Sequence, residues 1–62
     1  MVSDKIKSNR QSISMTQAAL AQAIGTTQQV IARYESGEQE PTVSRLIEIA
    51  KALKIKPSEL ID

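Results

Sequence analysis

The chain has 62 residues, eight of them basic and seven acidic, with no cysteine and no histidine. A chain this short is expected to form a single domain over residues 1–62, and it hides only about 60% of the surface that it exposes when unfolded. Without cysteine it has no disulfide and no thiolate metal ligand. Without histidine it has no imidazole metal ligand and lacks the commonest general base. We therefore expect an aliphatic core, no metal or cofactor, and no enzymatic activity.

No targeting or membrane segment is recognisable. No apolar run approaches the roughly 20 residues needed to span a bilayer. The polar segment 1–10 lacks the apolar stretch of a signal peptide. We therefore expect a cytoplasmic protein that does not bind membranes.

Charge is unevenly distributed along the chain. Residues 5–34 include four basic side chains and no acidic one, whereas residues 35–62 include six acidic and four basic side chains. A polyanion would therefore meet the first half of the chain. A merely uneven surface is the simpler interpretation, and the asymmetry alone carries little weight.

All predicted elements are helical, because no stretch alternates apolar and polar residues as a strand does. At 100° per residue, Val2, Ile6 and Ile13 fall within about 40° of one another, which predicts an amphipathic helix over residues 2–13. Thr16 is a suitable N-cap for a second helix over residues 17–24, which Gly25 ends.

A third helix follows at once and ends near Ser36. Thr27 is its N-cap by spacing, but Thr26 with Gln29 three residues later makes an alternative capping box, and the spacing does not decide between them. Because only a very short turn containing Gly25 separates the second and third helices, residues 16–36 are predicted to form a helix-turn-helix unit.

Two more helices are predicted after a loop over residues 38–41. Thr42 caps the fourth helix. Its expected apolar stripe consists of Val43, Leu46, Ile49, Ala50 and Leu53. Pro57 suits the first turn of a short fifth helix, which we expect to fray because Lys56 is a poor cap. The predicted fold is therefore all-α, with five short helices.

Three isoleucines late in the chain are not required by these apolar stripes: Ile47, Ile55 and Ile61. They belong either to the edge of the core or to a patch for self-association. The edge of the core is the commoner location for such residues.

The third helix has two chemically different faces. Val30, Ile31 and Tyr34 share the inner arc. The outer arc spans about 140° and holds Gln28, Gln29, Ala32, Arg33 and Ser36. Glutamine pairs with N6 and N7 of adenine, arginine pairs with O6 and N7 of guanine, and a small alanine permits close approach or contact with a thymine methyl.

We therefore predict DNA base contacts from Gln28, Gln29, Arg33 and Ala32. The alternative is an ordinary solvated face, which would be favoured for an isolated helix. This helix follows a capped helix, a glycine and a turn on a segment free of acidic residues, and that context favours base reading.

Phosphate contacts are predicted from different residues. Thr16, Gln17 and Thr27 lie at helix starts, where free N–H groups and the positive dipole end attract phosphate. The threonines also serve as caps, and the two roles are compatible. Lys7 and Ser36 complete the predicted phosphate contacts.

Arg10 is predicted to have a structural role. It lies at the edge of the first helix's apolar stripe, where a partly buried guanidinium needs an acceptor. Glu35 lies on the border of the third helix's inner face and is the only acidic residue before residue 38 apart from Asp4. We predict an Arg10–Glu35 ion pair between the two helices; the alternative is two exposed charges that never meet.

Two strings carry a family resemblance: MTQAALAQAIGTTQQVIARYESGEQEP (15–41) and LIEIAKALKIKPSEL (46–60). From Ile6 to Ile61 the chain resembles the Cro/C1-type helix-turn-helix family, or xenobiotic response element family, of bacterial and phage repressors. The family pattern of Thr-Gln-x-x-Leu-Ala, a glycine, and an apolar–Glu–x–Gly–x–x–x–Pro ending is present here. GTTQQ (25–29) is similar to the reading helix of lambdoid phage repressors.

The resemblance implies a lambda-repressor-like fold in which Gln28, Gln29 and Arg33 reach base edges and Gln17 supports a phosphate and a neighbouring glutamine. It also implies the Arg10–Glu35 pair. It further implies homodimers on a pseudo-palindromic operator with half-sites about 34 Å apart. Similar phage repressors usually have glutamine where Arg33 stands, so the outer part of the half-site is expected to be shared with them more than the inner part. Most also have a C-terminal oligomerisation or sensing domain, which we do not expect in these 62 residues.

The leading hypothesis is a sequence-specific, double-stranded-DNA-binding transcriptional regulator that acts as a repressor. One alternative is the antitoxin of a toxin–antitoxin module, which would also bind a protein toxin through an apolar patch or tail. A second is a protein-bridging coactivator-type module, which would not need the base-reading side chains Gln28, Gln29 and Arg33. An enzyme is disfavoured, because no pair of carboxylates lies near a plausible nucleophile.

Overall fold

Threonine hydroxyls set the starts of three helices. Thr16, Thr27 and Thr42 have extended backbones, and each hydroxyl accepts a hydrogen bond from the N–H three residues ahead, at 3.0, 3.4 and 3.1 Å respectively. Each bond satisfies a backbone donor that the first helical turn leaves unpaired. The predicted caps of the second and fourth helices are therefore confirmed, and the third helix is capped by Thr27 and not by Thr26.

The computed structural model describes residues 1–61 and contains four α-helices within them. They are α1 (Val2–Ser12), α2 (Gln17–Ile24), α3 (Gln28–Ser36) and α4 (Val43–Leu53). α1 and α4 are the longest, with 11 residues each, and no helix in this part of the chain has the length and apolarity to cross a membrane. The predicted all-helical class is confirmed for the described residues, which include no strand.

The prediction of a fifth α-helix is wrong. Pro57–Leu60 forms a single 3₁₀ turn. Four residues are too few to close more than one helical turn. The turn is nevertheless held at both ends, because the Glu59 carboxylate accepts a hydrogen bond of 2.9 Å from the Lys56 N–H and Leu60 is fully buried. The expected fraying at Lys56 therefore finds no support in the packing.

Left-handed residues end three of the four described α-helices. Gly25 (φ +73°) ends α2, and Gly37 (φ +81°) ends α3, as the glycine positions predicted. Lys54 (φ +60°) ends α4 in the same conformation, and Ser14 (φ +56°) follows α1. A residue with a Cβ is strained at positive φ, so the left-handed conformation of Lys54 and Ser14 was not predictable from residue type.

One apolar cluster joins all the elements. Its buried members are Ile6, Leu20, Ala21, Ile31, Tyr34, Ile49, Ala50, Leu53 and Leu60. α3 packs on α1 and α2, α2 also packs on α4, and the 3₁₀ turn closes the cluster against α1 and α4. α3 is thus supported from behind by two helices while one of its faces stays free.

Two residues assigned to apolar stripes lie outside the core. Val43 is 74% exposed because it is the first residue of α4, about one turn beyond the residues that pack inward. Ile13 is 48% exposed because α1 ends at Ser12 and the chain then leaves the helical path. Ile55 lies at the edge of the core, whereas Ile47 and Ile61 are about half exposed.

Candidate nucleic-acid interface

The outer face of α3 is a row of polar side chains open to solvent. Gln28, Gln29, Arg33 and Ser36 are exposed, and Ala32 is half-buried between them. Behind this row, Ile31 is fully buried and Tyr34 is 5% exposed. The helix therefore presents amide and guanidinium groups outward while its opposite side is anchored in the core.

The turn between α2 and α3 fixes the position of this row. The Thr26 N–H donates to the Ala21 carbonyl at 2.9 Å, so the chain folds back directly after Gly25. α2 and α3 then pack against each other, with Leu20 and Ile31 in the same buried cluster. Two helices joined by a turn this tight form a helix-turn-helix unit.

The predicted phosphate-binding residues of α2 and α3 lie at the N-terminal ends of those helices. Thr16 and Thr27 are exposed caps, and Gln17 is the half-buried first residue of α2. Each threonine hydroxyl is used by one N–H, but the first N–H groups of a helix have no partner within the helix. Both ends are therefore suited to accept an anion.

Lys7 and Ser36 differ in their surroundings. Lys7 is exposed on α1 and close enough to Glu35 for its charge to help lower the pKa of that carboxyl. Ser36 is the last residue of α3, where the helix dipole is negative. Its hydroxyl donates to the Arg33 carbonyl at 3.1 Å and accepts from the Glu38 N–H at 3.3 Å. Ser36 is therefore the predicted phosphate contact that the geometry favours least.

The structure brings Arg10 and Glu35 together. Arg10 Nε donates to Glu35 Oε2 at 2.6 Å, and Nη2 donates to Oε1 at 3.0 Å. Nη1 donates to the Met15 carbonyl at 2.6 Å. The two side chains are 10% and 3% exposed, so the pair lies between α1 and α3 and away from solvent.

The pair favours its own ionised state. Burial raises the pKa of Glu35, but hydrogen bonds from Arg10 and Gln17 and the charges of Arg10 and Lys7 outweigh it and hold the pKa below its ordinary value. The hydrogen bond to Glu35 raises the pKa of Arg10 further, against the opposing effect of burial. Glu35 is therefore a carboxylate, and only an acceptor, at neutral pH.

Two glutamines extend this pair to the surface of α3. Gln17 Nε2 donates to Glu35 Oε1 at 3.1 Å. Gln28 Nε2 then donates to Gln17 Oε1 across a longer distance of 3.5 Å. The resemblance implied the contact between the two glutamines, but the bond from Gln17 to Glu35 was not predicted. The helical wheel gives only a partial signal: it places Glu35 at about 340°, beside Gln28 at 0°, but it does not give the approach of α2 to α3.

Arg33 also has a neighbour that the sequence did not indicate. Its Nε lies 3.7 Å from Glu38 Oε2, and both side chains are more than half exposed. An exposed pair at this distance contributes little to stability. Arg33 can therefore exchange Glu38 for another acceptor at small cost.

Comparison with known proteins supports the helix-turn-helix geometry. The profile of the helix-turn-helix family HTH_3 matches residues 6–60. The chain is 39% identical over 59 residues to the cryptic phage CTXphi transcriptional repressor RstR of Vibrio cholerae serotype O1; the match covers 95% of this chain and 53% of that protein. The chain spans about half or less of the length of the curated relatives that it matches.

Solved structures share this fold. The P22 c2 repressor in complex with a synthetic operator superposes with a TM-score of 0.92 at 29% identity, covering 100% of this chain and 94% of that one. Hydroxypropylphosphonic acid epoxidase from S. wedmorenis superposes with a TM-score of 0.88 at 33% identity, but the match covers only 31% of that enzyme. The fold thus occurs both as a repressor domain and as one part of a larger enzyme.

Proposed function

The chain belongs to the helix-turn-helix family HTH_3, and we propose that it is a sequence-specific transcriptional repressor that reads the major groove of double-stranded DNA with α3. The regulator RstR and the operator-bound P22 c2 repressor support this proposal. The function is binding, so no residue is assigned a catalytic role. We place the protein in the cytoplasm, where such regulators meet DNA.

The observation that carries the proposal is the exposed row on α3. Its glutamines and arginine combine donors and acceptors that match base edges in the major groove. A helix anchored by Ile31 and Tyr34 presents them at fixed angles. The tight turn before α3 also places the start of α2 beside the row, an arrangement that an ordinary solvated face does not require.

Each member of the row has a distinct part in the proposal. Gln28 and Gln29 reach base edges, with Gln28 suited to adenine N6 and N7. Arg33 leaves Glu38 and donates to O6 and N7 of guanine. Ala32 is the small residue that lets the helix approach a thymine methyl.

Phosphates on either side of the groove position the helix. We assign them to the starts of α2 and α3, at Thr16, Gln17 and Thr27, and to the exposed charge of Lys7. Contacts of this kind fix orientation but do not distinguish sequences. Ser36 remains a weaker member of this set, because its hydroxyl is already bonded at the negative end of α3.

We further propose that two copies bind one pseudo-palindromic operator. With 9 residues, α3 is about 13 Å long and spans roughly four base pairs. So few base pairs do not define a unique site. Two helices on half-sites about one helical turn (~34 Å) apart double the sequence read. No specific observation on residues 1–61 favours the antitoxin or the protein-bridging hypothesis.

Selection of bound duplexes from a random pool tests the proposal. We expect enrichment of two related half-sites about 10 base pairs apart, with adenine at one position of each. The Gln28→Ala, Gln29→Ala double variant is the matched control and should enrich a weaker or shorter motif. A pool that remains random, or a motif identical in the control, would overturn the proposal.

A further inference from the structure

Four side chains form a continuous hydrogen-bond relay from the interior to the reading face: Arg10, Glu35, Gln17 and Gln28. Arg10 donates to Glu35, Gln17 donates to Glu35, and Gln28 donates to Gln17. The inner end is fixed, because Arg10 holds both carboxylate oxygens and is itself bonded to the Met15 carbonyl. The outer end is the exposed amide that we assign to base reading.

The direction of this relay follows from the chemistry of its inner end. A carboxylate only accepts hydrogen bonds, so Gln17 must turn its NH₂ toward Glu35 and its carbonyl oxygen outward. That oxygen only accepts, so Gln28 must turn its NH₂ toward Gln17. Gln28 then keeps its carbonyl oxygen and one N–H for the groove.

We infer that Glu35, acting through Gln17, fixes the amide orientation of Gln28 and so makes Gln28 select adenine over guanine. This inference rests on the proposed function. Adenine presents an acceptor, N7, and a donor, the N6 amino group, which match one N–H and one carbonyl oxygen. Guanine presents two acceptors, N7 and O6, which match two N–H groups. A glutamine amide free to turn over can present either combination.

Glu35 and Gln17 are therefore positioning residues for the base contact. The Glu35 side chain is 3% exposed, so it does not reach DNA itself. Gln29 is exposed on the same helix but is not a member of the relay, so its base preference should not depend on Glu35. Gln29 thus provides a control within the same molecule.

The test compares duplexes that differ at single base pairs. The position that Gln28 reads is identified as the one at which Gln28→Ala loses base preference, and the position that Gln29 reads is identified in the same way with Gln29→Ala. One set of duplexes has adenine or guanine at the Gln28 position, and a second set has adenine or guanine at the Gln29 position. Affinities are measured at one salt concentration. For the wild-type chain we expect about a tenfold preference for adenine at the Gln28 position, the scale of one bidentate contact.

Two variants break the relay at different links. Gln17→Met removes the middle link and leaves the Arg10–Glu35 pair in place. The Arg10→Met, Glu35→Gln double variant leaves no unpaired buried charge and replaces the carboxylate with an amide that can donate as well as accept. Both should reduce the adenine preference at the Gln28 position to about twofold or less and leave the Gln29 position unchanged.

Arg45→Met is the matched structural control. Arg45 Nη1 donates to the Ile24 carbonyl at 3.1 Å and so joins α4 to α2 without touching the relay. This variant should lower stability and keep the adenine preference. The inference is overturned if both relay variants keep the wild-type adenine preference at the Gln28 position, or if Arg45→Met loses as much of that preference as the relay variants do. Either result leaves the proposed function standing. A wild-type chain without preference at either position overturns the proposed function and the inference with it.

Discussion

Arg10 of α1 and Glu35 of α3 are joined by two hydrogen bonds, of 2.6 and 3.0 Å, across 25 residues of sequence. The pair is shielded from solvent and holds the first helix against the proposed reading helix. The Glu35 carboxylate also accepts a hydrogen bond from Gln17, and the carbonyl oxygen of Gln17 accepts one from Gln28. One buried charge pair thus links the stability of the fold to the arrangement of the surface that we propose binds DNA.

Removing Arg10 should destabilise the protein strongly. Arg10→Met leaves the Glu35 carboxylate buried without its counter-charge, which costs about 3 kcal/mol or more. Urea or thermal unfolding measures the loss. The Arg10→Met, Glu35→Leu double variant should recover most of it, because it removes the stranded charge. A melting temperature that does not change in Arg10→Met would contradict a structural role for the pair.

Stability should fall in acid through Glu35. Because the folded-state pKa of Glu35 lies below its ordinary value of 4.5, its contribution is complete above that pH. The contribution is lost as pH falls from 4.5 through the folded-state pKa, with a slope of up to about 1.4 kcal/mol per pH unit. Unfolding measured between pH 7 and pH 3 tests this. The Arg10→Met, Glu35→Leu variant should show a shallower decline, and an equal decline in both proteins would assign the effect to other groups.

The sequence predicted the helices well where a single residue type determines an end. Thr16, Thr42 and Gly25 were identified because a hydroxyl N-cap or a left-handed C-terminal glycine is a local requirement. Val43 was misplaced because a helical wheel gives direction around an axis but not whether neighbouring helices extend to that end. The sequence predicts an α-helix where the 3₁₀ turn lies, because Pro57 opens both kinds of helix.

The exposed row of α3 and the Arg10–Glu35 pair were predictable from the sequence, but two other contacts of the candidate site were not. The outer face of α3 follows from periodicity, and the Arg10–Glu35 pair follows from placing a charge at the edge of each apolar stripe. The bond between Gln17 and Glu35 depends on how closely α2 approaches α3, which spacing along the chain does not give. The Arg33–Glu38 contact depends on the path of the chain after Gly37.

Replacing the strained C-terminal residue of α4 should stabilise the fold. Lys54 has a φ of +60°, a conformation that costs a residue with a Cβ about 1 kcal/mol relative to glycine. Lys54→Gly should therefore raise the free energy of unfolding by up to about that amount. Lys51→Gly, at an exposed position within the same helix, is the control and should lower it by about 1 kcal/mol. Equal destabilisation by both substitutions would contradict a strained backbone at Lys54.

Base-reading and phosphate-binding residues should be separable by their effects on affinity. Gln28→Ala or Gln29→Ala should each cost about 1–3 kcal/mol on the selected duplex and relax one position. Lys7→Ala should weaken binding to all duplexes alike and reduce the salt slope by about one unit. Gln22→Ala, an exposed glutamine of α2 outside the row, should change neither quantity. A loss in Gln28→Ala that is equal on selected and random duplexes would show that Gln28 does not read a base.

The most direct test of the central claim is the ratio of the wild-type chain's dissociation constants for a scrambled duplex and for its selected duplex at one salt concentration. A sequence-specific repressor domain should bind the selected duplex about a thousandfold more tightly. This ratio should depend on the exposed row of α3, and it should be smaller in the Gln28→Ala, Gln29→Ala variant. Equal dissociation constants for the two duplexes would contradict the proposal that α3 reads sequence.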